Sequence, residues 1–292
     1  MRAVLWYNCH MKLRAYAKLN LSLNVVGKRG NMHLIDSVMT SVDVFDEVVL
    51  SPRADKVVTV DGVDCVASYD NTAYKAAVRF SELFDVGGAD IAISKGIPFG
   101  AGMGGSSADA AAVLVGLANL YDVPKDSDKL RQIAVSVGSD VWYMMCGGYA
   151  RVGGCGEIVE PFSAAKPMWY MLTTFDTPCD TAVIYRIFDD VGGDSSDNDK
   201  LVHCLQNGRQ TEACAGMSNG LQSSVTRLTE YAEPFLFFAQ SRELSPVMTG
   251  SGSAYFVPAC NKQQAREMCE IFCRAGFRSM VVADVPHGVE IV

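Results

Sequence analysis

Residues 98–112 read Pro-Phe-Gly-Ala-Gly-Met-Gly-Gly-Ser-Ser-Ala-Asp-Ala-Ala-Ala, and no other stretch restricts the fold as much. Four glycines fall within positions 100–105, followed by two serines and an alanine-rich run that favours a helix. Glycine lets backbone N–H groups approach a ligand with no Cβ in the way. A helix N-terminus adds unpaired N–H groups and a partial positive charge. Ser106 and Ser107 also read as caps for that terminus. The combination makes a cradle for phosphate.

The chain has 292 residues, enough for one large domain or two medium ones. With 49% hydrophobic and 20% charged residues it can bury a substantial core. A formal net charge of −8, with no basic stripe, argues against a nucleic-acid surface. A small anionic ligand remains compatible, because a local cradle outweighs a distant field. No apolar run is long enough to span a bilayer, so no membrane partner is expected. Residues 1–10 do not resemble a secretory signal, and Met11 reads as a natural start after a leading extension. The ten cysteines contain no Cys-x-x-Cys, and no ligand cluster at zinc spacing accompanies them. They read as reduced thiols of a cytoplasmic protein. Oligomeric state leaves no mark in the sequence.

Residues 19–26 alternate Leu21, Leu23 and Val25 with Asn20, Ser22 and Asn24, the period of a half-buried strand. Residues 38–50 read as one or two strands, and 56–60 as another. Asn71 caps a predicted helix reaching about residue 84. A short strand at 90–94 feeds the glycine loop, and the helix after it runs to about Tyr121. A further helix over 128–137 closes at Gly138. Residues 147–156 read as a glycine-rich turn, 169–174 as a strand, and 192–200 as a mobile surface loop. A strand–turn–strand over 247–258, a helix over 262–275 and a strand over 279–285 complete the chain. A boundary near 161–167 divides it into domains 1–162 and 163–292. Strands and helices mix in both halves without a strict βαβ rhythm, which predicts an α+β fold.

Three phosphate cradles fit a glycine-rich turn. The P-loop requires a Lys after its last glycine, and none follows Gly105. Gly100, Gly102 and Gly105 match the dinucleotide pattern. Its second strand and terminal acid are missing, because Asp122 sits in a loop leading to another helix. The third cradle is the central motif of the GHMP kinases, which the run resembles. Two further motifs support this in the family's order: Ala-Lys-Leu-Asn-Leu-Ser-Leu at 17–23 and Met-Thr-Gly-Ser-Gly-Ser-Ala at 248–254. Gly-Lys-Arg at 27–29, His33, Gly-Ser-Asp-Val at 138–141, Thr-Ala-Val-Ile-Tyr-Arg at 181–186 and Asn-Gly-Leu at 219–221 add to it. These are similar to the branch of the family that phosphorylates a cytidylyl sugar alcohol.

The resemblance implies an N-terminal domain like ribosomal protein S5 domain 2, a ferredoxin-like C-terminal domain, and a site in the cleft between them. It implies ATP as phosphoryl donor, Mg²⁺ arriving with it, and a cytidylyl sugar alcohol as acceptor. Asp140 would be the general base, and Lys18 would orient it and stabilise charge on the reacting oxygens. Pro98, Gly100, Gly102, Gly104, Gly105, Ser106 and Ser107 would hold phosphate, with Ser107 also near Mg²⁺. Lys95 and Asn71 would reach the nucleotide, and each has an ordinary alternative as a solvated charge or a helix cap. Asn20, Met32, His33, Thr181, Tyr185, Arg186, Gly250, Ser251 and Gly252 would form the acceptor site. His33 would hydrogen-bond the cytosine, and Tyr185 would stack on it. Asp109 suits the helix dipole whatever the function. The chain departs from the family in two places. Asn31-Met32-His33 replaces Asp-Gly-Tyr-His, which puts Met32 where the stacking Tyr belongs, and Trp142 stands in place of a Pro. The residues leave two alternatives open: another GHMP alcohol kinase acting on homoserine, mevalonate or a sugar, and a catalytically silent ATP-binding relative.

Overall fold

The computed structural model describes residues 10–63, 69–226 and 230–292. The reading of residues 1–9 as an extension falls outside them. Two long strands dominate, β1 (Met11–Arg29) and β2 (Met32–Pro52), paired antiparallel through a tight turn at Gly30-Asn31. β3 (Val58–Asp61), α1 (Thr72–Phe84), β4 (Ala89–Ser94) and α2 (Gly105–Leu120) follow. Next come α3 (Asp128–Val137), α4 (Val141–Cys146), β5 (Ala150–Gly154) and β6 (Ile158–Pro161). The second half contains β7 (Trp169–Thr173), α5 (Thr181–Val191), α6 (Asn198–Gln206), α7 (Gln210–Ala215), β8 (Ser218–Asn219), α8 (Gln222–Thr226) and α9 (Ala232–Gln240). It ends with β9 (Val247–Met248), β10 (Tyr255–Ala259), α10 (Lys262–Arg274), β11 (Ser279–Val285) and β12 (Val289–Ile291).

One edge of β1 receives β12 at Leu13–Ala15 and β8 at Ser22–Leu23. Along the other edge of β2 lie β4, then β11 at Ser41–Val42, then β5 at Ile35–Met39. β11 also pairs with β7, so the sheet continues through β7 and β10 to β9. The arrangement is α+β, as the mixed pattern predicts.

α2 is apolar on all sides and buried nearly throughout, which suits a central helix. It packs on β1 and β2 at Gly116, where an added Cβ would lie 2.9 Å from Leu50 Cδ2. The second half has an aromatic core in which Phe235 and Phe272 meet Tyr255 and Phe277.

Three sequence expectations change, while the reading of 38–50 as one or two strands holds, within the single strand β2. The strand at 19–26 is part of β1 and is not half-buried: Lys18, Asn20, Ser22 and Asn24 are as buried as the leucines between them. Their face is covered by the second half of the chain. The stretch 147–156 is a turn only at its ends, since Ala150–Gly154 forms β5. The predicted mobile loop at 192–200 is tied down instead. Ser196 N donates to Asn24 Oδ1 (2.8 Å), and Ser22 Oγ donates to Asn198 Oδ1 (2.6 Å). Buried polar groups on β1 need partners, and this segment supplies them.

Candidate active site

A cleft of about 980 Å³ opens between the glycine loop, the β1–β2 tip and α5, and every candidate residue singled out above lines it. That volume lies at the upper end of the roughly 300–1,000 Å³ of small-molecule sites, so it has room for a large ligand pair.

The three sequence motifs interlock at its floor. Lys18 N donates to Met103 O (3.0 Å), and Ala254 N donates to Ala101 O (3.1 Å). Thr249 Oγ1 donates to Gly102 O (3.2 Å) and accepts from Asn20 N (3.1 Å). Gly102 has φ +74°, and a Cβ there would lie 2.1 Å from Thr249 O, so this crossing of loops requires glycine. Asn219 Nδ2 holds the third motif by donating to Met248 O and Gly250 O.

Lys18 stands mid-strand with 3% of its surface exposed. Its Nζ lies 3.9 Å from Asp140 Oδ2 and donates to Asn20 Oδ1. Asn20 Nδ2 in turn donates to Ser37 Oγ (2.9 Å), which fixes the amide that orients the ammonium. Burial lowers the Lys18 pKa, and the Asp140 carboxylate opposes that shift. Asp140 begins α4, yet its side chain makes no capping bond. Its carboxylate is therefore available to the cleft and does not act as a cap.

α2 starts at Gly105 with Gly104 as its N-cap, in the left-handed conformation at φ 74°. Ser106 and Ser107 consequently lie inside the first turn and are not caps. Their backbone N–H groups sit among the helix donors that lack intrahelical acceptors. Ser107 Oγ makes no hydrogen bond among the described residues. No group of three or more metal-ligating side chains forms among the described residues.

Two candidates have protein partners, and the sequence indicated those of Asn71 but not those of Lys95. Lys95 is expected to reach a nucleotide, but its ammonium is held by Asp46 Oδ2 and by Asp109 Oδ2 (2.8 Å). Asp46 Oδ1 also accepts from Gly96 N (2.7 Å) and Ile97 N (2.8 Å), anchoring the strand that enters the loop. Asp109 Oδ1 is buried without a partner, and desolvation pushes this carboxyl up to about 7. Burial lowers the Lys95 pKa, but the two carboxylates outweigh it and the net shift is upward. Asn71 caps α1, accepting from Ala73 N (2.8 Å) and Tyr74 N (3.4 Å), and also borders the cleft.

At the opposite end, the β1–β2 tip meets α5. His33 stacks on Tyr185, with ring centroids 4.6 Å apart and planes at 28°. Asp189, one turn beyond Tyr185, contacts His33 Nε2 through Oδ1 (2.8 Å) and accepts from Lys28 Nζ through Oδ2 (2.7 Å). The contacts with His33 and Lys28 hold the Asp189 carboxyl below its ordinary range. Burial raises the Tyr185 pKa, so the phenol stays neutral. Met32 is 55% exposed beside this cluster. Thr181 and Ser251 hydroxyls meet at 2.8 Å, joining the start of α5 to the third motif. Arg186 is exposed on the same helix.

Sequence reasoning passed over Asp46 and Asp189, which carry no local motif. It read Asp109 only as a dipole partner. The sole signal for the Asp46–Lys95–Asp109 cluster was a Lys placed immediately before the loop.

Comparison with known proteins agrees with this geometry. The family described as GHMP kinases N terminal domain matches residues 71–148. The chain is 33% identical over 251 residues to 4-diphosphocytidyl-2-C-methyl-D-erythritol kinase of Shouchella clausii (strain KSM-K16), covering 84% of each chain. It is 34% identical over 255 residues to the enzyme of that name from Clostridium tetani (strain Massachusetts / E88), covering 84% of this chain and 90% of that one. Among solved structures, a 4-(cytidine 5'-diphospho)-2C-methyl-D-erythritol kinase superposes with a TM-score of 0.77 at 28% identity, over 94% of this chain and 100% of the other. Homoserine kinase from Cytophaga hutchinsonii ATCC 33406 shares the fold, with a TM-score of 0.76 at 16% identity over 100% and 99% of the two chains. The fold is the two-domain GHMP kinase fold. The chain belongs to the 4-diphosphocytidyl-2-C-methyl-D-erythritol kinase family within the GHMP kinases.

Proposed function

We propose that this protein transfers the γ-phosphoryl group of ATP to the 2-hydroxyl of 4-diphosphocytidyl-2-C-methyl-D-erythritol, a step of non-mevalonate isoprenoid precursor synthesis. The observation that carries the reading is the Lys18–Asp140 pair, 3.9 Å apart below the glycine loop, where the two ends of the cleft meet. The acceptor oxygen attacks the γ-phosphorus, the bond to the β–γ bridging oxygen breaks, and ADP leaves. Asp140, free of any capping bond, takes the hydroxyl proton. Lys18, held by Asn20, lies where charge develops on the reacting oxygens and needs no reorganisation to stabilise it.

The N–H groups around Gly102, Gly104 and Gly105 and the first turn of α2 receive the triphosphate. Pro98, Gly100, Ser106, Lys95 and Asn71 complete the donor end. The Ser107 hydroxyl would hold Mg²⁺ arriving with ATP, and the ion would neutralise charge on the phosphates. Met32, His33, Tyr185 and Arg186 receive the cytidylyl end. Thr181, Gly250, Ser251 and Gly252 close the acceptor site over Asn20. The reaction takes place in the cytoplasm, and unpaired thiols at every described cysteine support that reading.

The test is ADP release with a panel of the cytidylyl alcohol, homoserine, mevalonate and simple sugars. Turnover of the cytidylyl alcohol alone is expected. Asp140→Ala should lower kcat by about 10²–10⁴-fold with the KM for ATP little changed. Preference for another alcohol overturns the substrate, and full activity in Asp140→Ala overturns the base.

A further inference from the structure

The cluster at the tip of the cleft contains a residue that neither the motifs nor the reaction chemistry require. Asp189 lies on α5, while both of its partners lie on the β1–β2 hairpin, 161 and 156 positions away in sequence. It spends one carboxylate oxygen on Lys28 and the other on His33. Its contacts with His33 and Lys28 hold the carboxyl below its ordinary range, so it is ionised and acts only as an acceptor.

An acceptor at Nε2 fixes the tautomer of neutral imidazole. Nε2 must carry the proton, which leaves Nδ1 with a lone pair. Nδ1 makes no hydrogen bond among the described residues. Stacking on Tyr185 sets the ring plane, and Asp189 sets its rotation within that plane. Both constraints act on a ring that lines the cleft.

We infer that Asp189 is a positioning residue that sets base specificity: it holds His33 as a hydrogen-bond acceptor, selecting a 4-aminopyrimidine over a 4-oxopyrimidine. Cytosine presents an exocyclic amino donor where uracil presents a carbonyl acceptor. Two acceptors facing each other leave both without a proton, and a site built to hydrogen-bond one group strongly rejects the analogue lacking it. The Lys28 contact keeps the carboxylate charged and ties the hairpin tip to α5, so the reading group is held before any base arrives.

This inference rests on the proposed cytidylyl substrate, and the experiment separates the two. Wild type, Asp189→Ala and Asp189→Asn are assayed with the cytidylyl alcohol and its uridylyl counterpart, and the His33 ring nitrogens are followed by ¹⁵N NMR. The His33 signals are assigned by difference with His33→Gln. Wild type is expected to show a protonated Nε2 and a lone-pair Nδ1. Asp189→Ala should raise the KM for the cytidylyl alcohol about tenfold to a hundredfold, with kcat and the KM for ATP within about threefold. Asn can donate as well as accept, so Asp189→Asn releases the proton to Nδ1 and narrows or reverses the cytidylyl preference. A residue acting only through stability would not exchange one base preference for another.

Wild-type His33 protonated mainly on Nδ1 overturns the inference. So does an unchanged cytidylyl-to-uridylyl ratio in both variants when the wild type turns over the cytidylyl alcohol. If the wild type does not turn it over, the substrate proposal fails, and the nitrogen signals still decide whether Asp189 sets the tautomer.

Discussion

Replacing Gly102 by Ala tests whether the site depends on the close crossing of the first loop over the third motif. The new Cβ would stand 2.1 Å from Thr249 O and 2.9 Å from Gly252 O, against the 3.0 Å below which such contacts essentially never occur. Both atoms are backbone, so the two loops must part by about 0.9 Å. A non-glycine residue at φ +74° costs about 1–2 kcal/mol, and losing the 3.2 Å bond from Thr249 Oγ1 about 1 kcal/mol more. A destabilisation of about 2–3 kcal/mol lowers Tm by roughly 5–10 °C in a chain this size. The displacement also moves the glycine loop by nearly 1 Å relative to Lys18 and Asp140, and under the proposed mechanism such a misplacement costs about 10²-fold in kcat.

Gly276→Ala is the control. Gly276 has φ +92° with nothing within 4 Å, and it lies outside the cleft. It should lose only the conformational part of the stability and none of the rate. Thermal melts and ADP-release assays on both variants measure the difference. If Gly102→Ala melts with Gly276→Ala and keeps kcat within about threefold of wild type, the crossing does not determine the geometry of the site.

Lys18→Met should lose about 10²–10³-fold in kcat and alter the pH dependence of stability. Burial lowers the Lys18 pKa from 10.5, so between its folded value and 10.5 the unfolded chain binds more protons. Wild type should therefore gain stability relative to Lys18→Met as pH rises through that window, as followed by urea midpoints. A flat difference between the two curves contradicts the shift. Met32→Tyr should lower the KM for the cytidylyl alcohol about twofold to fivefold with kcat unchanged, since an aromatic pair adds only about 0.5–1.5 kcal/mol over a thioether contact. No change in KM would mean that Met32 does not face the base.

That the glycine loop, Lys18 and Asp140 meet in one cleft was legible because each belongs to a short motif whose spacing matters. Asn71 was legible as a helix cap for a local reason, since the N–H groups that donate to it lie two and three residues ahead. The Asp46–Lys95–Asp109 cluster was not legible. Asp46 sits 49 positions from Lys95, and a charge in a strand usually faces water. Alternation along β1 was read correctly as a strand and wrongly as half-buried. The polar face of β1 is covered by residues 170 and more positions downstream, which no local period reports. The loop at 192–200 misled for the same reason, because Gly, Asp and Ser are common in loops and Asn24 and Ser22 are what hold this one. Asp189 falls in the same class: its partners are on the hairpin, and only the fold brings them together.

β12 has a consequence for synthesis. It pairs with Leu13–Ala15, and the segment just before it supplies Gly288 O to Tyr16 N (2.8 Å), two residues from Lys18. The strand that carries Lys18 therefore gains its edge partner from residues 274–278 positions downstream. A nascent chain that stops short of Val289 presents an open edge at β1, the kind of surface that recruits other strands. Competence for phosphoryl transfer should therefore wait until β12 has been made, and a truncation that spares every cleft residue can still leave the Lys18 strand unsupported.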